Sequence, residues 1–174
     1  MNISVIGAGY VGLITGIGFA KLNHQVSIVD LNDDLIKNLN ENRPPFYEPE
    51  LVDYLNDSNI RNNLFFSTSY QKSINENTDI VFVCVQTPTD PDTGKTKTDY
   101  ISSVLTELKK IESFNFIICI KSTIKATLVE KISNEIDLDY KKIIFNPEFL
   151  REGSAFYDFF NPDRIVIGGS DQKG

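Results

Sequence analysis

Apolar residues along the chain fall into short unbroken runs separated by stretches where they recur at helical spacing. The runs at 3–6, 25–29, 64–67, 79–85, 115–120, 143–145 and 164–168 read as strands. Continuous apolar character, clearest at 79–85, is the mark of strands covered on both faces, as in a parallel sheet. Between them, residues 11–22, 50–56, 71–75 and 99–112 read as helices. Leu35, Ile36 and Leu39 mark the face of another, and Leu128, Val129, Ile132 and Ile136 of one more. Residues 42–49 are too proline-rich to be helical. Strand and helix thus alternate through short connections. That pattern predicts an α/β fold of Rossmann type, a doubly wound, mostly parallel sheet with helices on both faces. Gly16 and Gly18 are expected where the first helix lies close to the sheet.

The first strand breaks at Gly7, and Gly7-Ala8-Gly9-Tyr10-Val11-Gly12 opens the first helix. A GxGxxG between strand and helix is the dinucleotide fingerprint in its required setting. Gly7 permits the tight turn, Gly9 lets backbone approach a pyrophosphate, and Gly12 allows helix to pack on strand. The next strand ends in Asp30, where a ribose-binding acid is expected. A carboxylate there accepts from ribose hydroxyls and repels a 2′-phosphate, and the following Leu31 and Asn32 offer no arginine. NAD is therefore favoured over NADP.

Composition narrows the class. The 174 residues suit one domain, and 41% hydrophobic content is enough for a sizeable core. A net charge of −7 argues against nucleic acid or an anionic membrane as partner. No apolar run approaches the roughly 18 residues of a membrane span. The first strand starts at the N-terminus, so a cleaved signal peptide is not expected. Cys84 and Cys119 sit in apolar runs and read as small buried hydrophobes inside strands, which points to a reducing cytoplasm. The single histidine, His24, lies between helix and strand and reads as a turn residue. No metal site is expected.

Three loops leave strand ends on the edge that carries the fingerprint turn: 86–90, 121–123 and 146–153. Residues 92–98 read as mobile and polar. Hydroxyls at Thr87, Ser122 and Thr123 suit hydrogen bonds to ribose or sugar, though turn and cap bonding competes, evenly at Ser122 and less at Thr123. If the chain turns helical from Phe149, Glu148 and Glu152 share one face as an i, i+4 pair. Their repulsion would raise the proton affinity of at least one, which suits proton transfer near neutral pH. The alternative is a solvated acidic turn with Arg151 as an ordinary ion-pair partner. Spacing alone does not separate the two.

The fingerprint with Asp30, Tyr47-Glu48-Pro49, Thr87-Pro88-Thr89, Lys121-Ser122-Thr123, the stretch Asn146-Pro-Glu-Phe-Leu-Arg-Glu-Gly-Ser-Ala155 and Asn161-Pro162-Asp163-Arg164 together resemble the UDP-glucose/GDP-mannose dehydrogenase family. The resemblance covers essentially the whole chain and corresponds to that family's N-terminal NAD-binding domain. The 146–155 wording with Asn-Pro-Asp-Arg after it is most similar to the members that oxidise UDP-glucose. GDP-mannose members are close, and N-acetylhexosamine members usually differ there.

The resemblance implies an NAD-dependent four-electron oxidation of a nucleotide sugar at C6, UDP-glucose to UDP-glucuronate, without release of the aldehyde. A cysteine captures the aldehyde, and a thioester is then hydrolysed. By position, Val11 and Asp30 should contact NAD together with Gly7, Gly9, Tyr10 and Gly12, with Thr87 beside it. Thr123 should stand where nicotinamide, sugar and water meet. Glu148, Phe149, Leu150, Arg151 and Glu152 should line the substrate, much of it through backbone. Glu152, also near NAD, is the favoured acid/base, with Glu148 a co-equal suspect. The family's nucleophilic cysteine lies beyond residue 174, and Cys84 and Cys119 cannot replace it. Residues 1–174 are then expected to be one domain of a longer, homo-oligomeric, cytoplasmic enzyme of polysaccharide biosynthesis. They would lack its central helical and UDP-binding domains and be inactive alone. GDP-mannose or another nucleotide sugar, a hydroxyacid or 6-phosphogluconate dehydrogenase, and a non-catalytic NAD- or nucleotide-sugar-binding module are the alternatives. Two departures stand out: Leu35 where a lysine is frequent, and Gln86 where a small residue is usual.

Overall fold

A computed structural model of the chain describes residues 1–111 and 115–169. Six strands run parallel: β1 (Asn2–Ile6), β2 (Gln25–Val29), β3 (Leu64–Ser67), β4 (Ile80–Val83), β5 (Ile117–Ile120) and β6 (Ile143–Phe145). A two-residue β7 (Gly168–Gly169) pairs antiparallel with β6. The order across the sheet is β3-β2-β1-β4-β5-β6-β7. Strand order therefore reverses between β1 and β4, where sheets of this kind bind ligands outside the carboxyl ends.

Helices cover both faces. On one lie α1 (Tyr10–Lys21), α2 (Asp33–Asn40), α3 (Leu51–Asn56), α4 (Ser58–Arg61) and α8 (Ala155–Phe160). Leu13, Ile17, Leu39, Leu55 and Phe156 pack there against Val5, Ile28 and Phe82. On the other lie α5 (Tyr70–Ser73), α6 (Asp99–Lys109) and α7 (Ala126–Glu135). Leu105, Leu108 and Val129 meet Ile6, Val83, Ile118 and Ile120 on that side. The alternating sides of β1, with Val5 facing one cluster and Ile6 the other, are the period of two that a strand imposes.

The sequence-based elements mostly hold, with several differences. Helix α4 and helix α8 lie where the periodicity predicts none; α4 is one turn stapled by the Asp57 carboxylate, which accepts from Asn59 N–H. No helical turn forms from Phe149. Pro147 biases the preceding residue away from helix, and the Leu150 and Gly153 N–H groups go to side-chain carboxylates rather than helical carbonyls. Residues 164–167 stay outside the ladder, because β6 offers only Ile144 and Phe145 to pair with Gly169 and Gly168. Cys84 lies one residue past β4 rather than within it. The predicted end of the sixth helix at Glu112 falls outside the described residues. Gly16 does lie against a strand, at Ile28, whereas Gly18 faces the Phe159 ring of α8. Residues 92–98 join a hairpin closed by a Thr89–Thr96 bridge, its turn held by Asp90 accepting from Asp92 and Thr93.

Candidate functional site

The carboxyl ends of β1, β2, β4, β5 and β6 form one rim, and every site residue singled out in the sequence lies along it. At the end of β1, Gly7 takes φ = +99°, and a Cβ there would stand 2.8 Å from the Cys84 carbonyl oxygen. Its N–H donates to the Val29 carbonyl at 2.8 Å, which pins the turn to the end of β2. A side chain on Gly12 would overlap the Gly7 carbonyl, so the helix can seat here only without one. Gly9 is different. It is exposed, and a Cβ there would meet nothing within 4 Å. Gly7 and Gly12 thus serve the fold, and Gly9 leaves an open approach to backbone at the start of α1. No acidic residue occupies the first turn of that helix, so its positive end is left for an anion.

Asp30 sits beside this approach. Its carboxylate accepts from the Ala8 N–H at 2.9 Å and from the Asn32 N–H at 3.0 Å. The acid is therefore tied directly to the glycine turn. Each oxygen keeps acceptor capacity for a ribose hydroxyl, and the half-buried position leaves it reachable. Gly7, Gly9, Gly12 and Asp30 fit a dinucleotide with an unmodified ribose.

Across the crevice, the Thr87 hydroxyl donates to the Thr123 carbonyl at 2.8 Å, joining the loops after β4 and β5. Ser122 donates to the Val85 carbonyl at 2.6 Å, which is the turn role. Lys121 is buried, with its ammonium 3.0 Å from the Asn146 amide oxygen, and so links the ends of β5 and β6.

The residue that binds the rim together is Glu48, which the sequence pattern did not mark as functional. It is 3% exposed, yet its carboxylate accepts from the Tyr10 hydroxyl (2.8 Å), the Gly153 N–H (2.8 Å) and the Ala155 N–H (2.9 Å). Burial alone would raise its proton affinity. The bonds from Gly153, Ala155 and Tyr10 outweigh burial and hold the carboxyl below its ordinary range. The Tyr10 phenol is driven the other way, first by burial, then by its bond to Glu48 and the charges of Glu48, Glu152 and Glu148. The Arg151 carbonyl stands 3.3 Å from the same hydroxyl. Tyr10, at the first turn of α1, thus faces the whole acidic loop.

Within the loop, Glu148 accepts from the Leu150 N–H at 2.6 Å. Glu152 is exposed and makes no hydrogen bond or ion pair among the described residues. With no helix, the two do not stack one turn apart, so the i, i+4 repulsion argument loses its geometric basis. Arg151 pairs with neither. Its guanidinium reaches Asp158 of α8 at 2.6 Å, and its own N–H donates there at 2.9 Å. Those bonds pull the Asp158 carboxyl down to about 2. Burial pushes the thiols of Cys84 and Cys119 each up to about 12, which leaves both poor nucleophiles.

Comparison with known proteins agrees with this geometry. The family model described as UDP-glucose/GDP-mannose dehydrogenase family, NAD binding domain, matches residues 1–174. A UDP-glucose 6-dehydrogenase of Bacillus subtilis is 35% identical over 99% of this chain and 40% of its own. The structure of a UDP-glucose dehydrogenase from Pyrobaculum islandicum superposes with a TM-score of 0.84 at 36% identity, covering 97% of this chain and 40% of that one. A GDP-mannose dehydrogenase from Pseudomonas aeruginosa, solved as a ternary complex, gives a TM-score of 0.87 at 28% identity, over 98% and 41%. The chain spans about two fifths or less of the length of the curated relatives it matches.

Proposed function

Because the chain belongs to the UDP-glucose/GDP-mannose dehydrogenase family, as its NAD-binding domain, we propose that it forms the cofactor half of a nucleotide-sugar 6-dehydrogenase acting on UDP-glucose. The observation that carries this reading is the Glu48 carboxylate, which joins the start of the phosphate-facing helix to the acidic loop after β6. One buried group thereby sets cofactor site and sugar site at a fixed distance.

In this reading the backbone at Gly9 and the first turn of α1 hold the pyrophosphate, flanked by Gly7, Val11 and Gly12. Asp30 accepts the adenosine ribose hydroxyls. Bound NAD would supply the hydride acceptor for the sugar C6. Thr87 fixes the backbone of Thr123, whose side chain is exposed, at the proposed meeting point of cofactor, sugar and water. Backbone groups of Phe149, Leu150 and Arg151 line the sugar nucleotide, and the Arg151–Asp158 pair keeps that stretch from collapsing. Glu148 spends an oxygen on its own loop, whereas Glu152 is free of such bonds and is the better placed to hold a proton from the hydrolytic water.

The nucleophile is proposed to lie outside these residues, because burial pushes both thiols of this chain up to about 12. Residues 1–174 are accordingly proposed as one domain of a longer, homo-oligomeric cytoplasmic enzyme that feeds uronate to polysaccharide synthesis. The greater identity to the UDP-glucose than to the GDP-mannose structure, 36% against 28%, supports the choice of sugar. The test is calorimetric titration of the chain with NAD and NADP, paired with an NADH assay. Binding of NAD over NADP, with no NADH from UDP-glucose until the longer parent chain is used, is the expected result. Turnover by residues 1–174 alone would overturn the split-site reading.

A further inference from the structure

Lys121 and Asn146 each stand one residue past a strand, β5 and β6, and the parallel ladder carries on through them. The Lys121 N–H donates to the Val83 carbonyl and the Asn146 N–H to the Ile120 carbonyl, both at 2.9 Å. Cys119 of β5 is the register partner of Ile144 of β6. The period of two repeats that pairing at Lys121 and Asn146, on the same face of the sheet. That face is apolar: Phe82, Cys119 and Ile144 line, together with Lys121 and Asn146, a cavity of about 590 Å³.

A lysine in such a place is costly, because an ammonium taken out of water needs partners to compensate it. Lys121 is 9% exposed, and among the described residues no carboxylate lies within ion-pair reach of it. Its side-chain bonds go to one residue, the Asn146 amide oxygen at 3.0 Å and the Asn146 carbonyl at 3.4 Å. Asn146 is engaged on its other side as well, where its amide N–H donates to the Val166 carbonyl at 2.9 Å. A neutral pair could join two strand ends at less cost. A charge kept there without a counter-charge points to a task beyond the fold.

Both residues sit at the root of a loop that carries a candidate site residue. Thr123 follows Lys121 by two positions, and Glu148 follows Asn146 by two. Beyond the tie each loop has one further anchor. The Thr123 carbonyl accepts from Thr87, and the Glu148 carboxylate accepts from the Leu150 N–H. The ammonium and the acidic loop also act on shared space. Burial raises the proton affinity of the Cys84 thiol, the Lys121 charge opposes that rise, and the charge of Glu148 adds to it. We propose that Lys121, acting through Asn146, is a positioning residue, a charged tie that sets Thr123 and Glu148 relative to each other. The proposal rests on the reading of the chain as the cofactor half of a nucleotide-sugar dehydrogenase.

Two measurements test this, one on the 174-residue chain and one on the longer parent. In heteronuclear NMR of the chain, the Lys121 ammonium should give a slowly exchanging side-chain signal at neutral pH, as a buried, hydrogen-bonded Nζ does. Asn146→Ala should abolish that signal. Lys121→Met should shift the backbone amides of both Thr123 and Glu148 and leave those of Gly7–Gly12 in place. In the parent, Lys121→Met should lower kcat for NADH formation from UDP-glucose about tenfold or more, with KM for NAD little changed. Lys121→Arg, for which the cavity leaves room, should restore most of the rate, and the neutral Lys121→Gln should not. An active parent in which Lys121→Met keeps its kcat, or in which Lys121→Gln performs as well as Lys121→Arg, would overturn the positioning role. So would a Lys121 ammonium that exchanges like a solvated lysine. A wild-type parent that makes no NADH from UDP-glucose would instead sink the underlying reading, and this proposal with it.

Discussion

The Tyr10 hydroxyl donates to the Glu48 carboxylate at 2.8 Å, and that same carboxylate receives the Gly153 and Ala155 N–H groups. A tyrosine inside the glycine fingerprint is thereby connected, through one buried acid, to a loop more than a hundred residues away. Removing the acid leaves the buried Ala155 N–H without its acceptor and takes a bond from the Gly153 N–H and the half-buried Tyr10 phenol. Glu48→Ala should lower stability by about 3 kcal/mol, since unpaired buried donors cost more than the bonds contributed. Tyr10→Phe should lower it by about 1 kcal/mol. The double variant should lose less than the sum, because the two share a bond. Urea unfolding of the four proteins measures this, and strict additivity would contradict the shared bond.

Acid should loosen the loop before the sheet. The Glu48 carboxyl sits below its ordinary range and that of Asp158 near 2, so both are depressed by folding. A depressed group lends stability that is complete above its unfolded pKa, about 4 for a carboxylate. That stability drains as pH falls through the folded value. Hydrogen exchange at Gly153 and Ala155 should therefore accelerate as pH falls below about 4, through the depressed value of Glu48, while β1 and β4 stay protected. Asp158→Asn should remove its part of the slope.

The two cysteines offer a chemical check. With both thiols near 12, the thiolate fraction at pH 8 is about one in ten thousand. Iodoacetamide should label neither at an appreciable rate in the folded chain, and both rapidly in urea. Cys84 is only half-buried, so fast labelling there without denaturant would mean that its thiol is not held up by its surroundings.

The strands were legible because a sheet covered on both faces writes its burial into unbroken apolar runs; β3 and β6 fall where those runs predict. The phosphate turn was equally plain, since only glycine satisfies the φ at Gly7 and the contact at Gly12. What was not legible is the acidic loop. Glu148 and Glu152 at helical spacing suggested a helix, but carboxylates from Glu48 and Glu148 captured the N–H groups a helix would need. Spacing within a segment cannot report a partner a hundred residues upstream. Glu48 itself lies in a proline-rich stretch without periodicity, where no burial pattern can be read. Asp158 was hidden for a related reason, since α8 is too short to show a period.

The glycines separate folding from binding. Gly12→Ala places a methyl into the Gly7 carbonyl and should destabilise the fold outright. Gly9→Ala meets no protein atom, so its melting temperature should match the parent's. Its NAD affinity should nonetheless fall at least about tenfold, equivalent to roughly 1.4 kcal/mol, because the methyl enters the approach a pyrophosphate needs. Thermal melts alongside calorimetry distinguish the two. A Gly9→Ala protein with full NAD affinity would move the phosphate site elsewhere.

Asp30→Ala should weaken NAD by about tenfold while narrowing the gap to NADP, as the carboxylate that repels a 2′-phosphate is gone. Some loss should also appear in stability, through the Ala8 N–H it leaves unpaired at the turn. Parallel titrations with both cofactors read out the change in ratio.

The central claim is that one rim holds the cofactor under the acidic loop, and an NMR perturbation map with NAD tests it most directly. Backbone shifts should cluster at Gly7–Gly12, Asp30, Thr87, Thr123 and Gly153, with β3 and the amino ends of the strands silent. Shifts at the glycine turn and Asp30 that leave Thr123 and residues 148–153 untouched would contradict it, for the loop would then stand apart from the site it is proposed to complete.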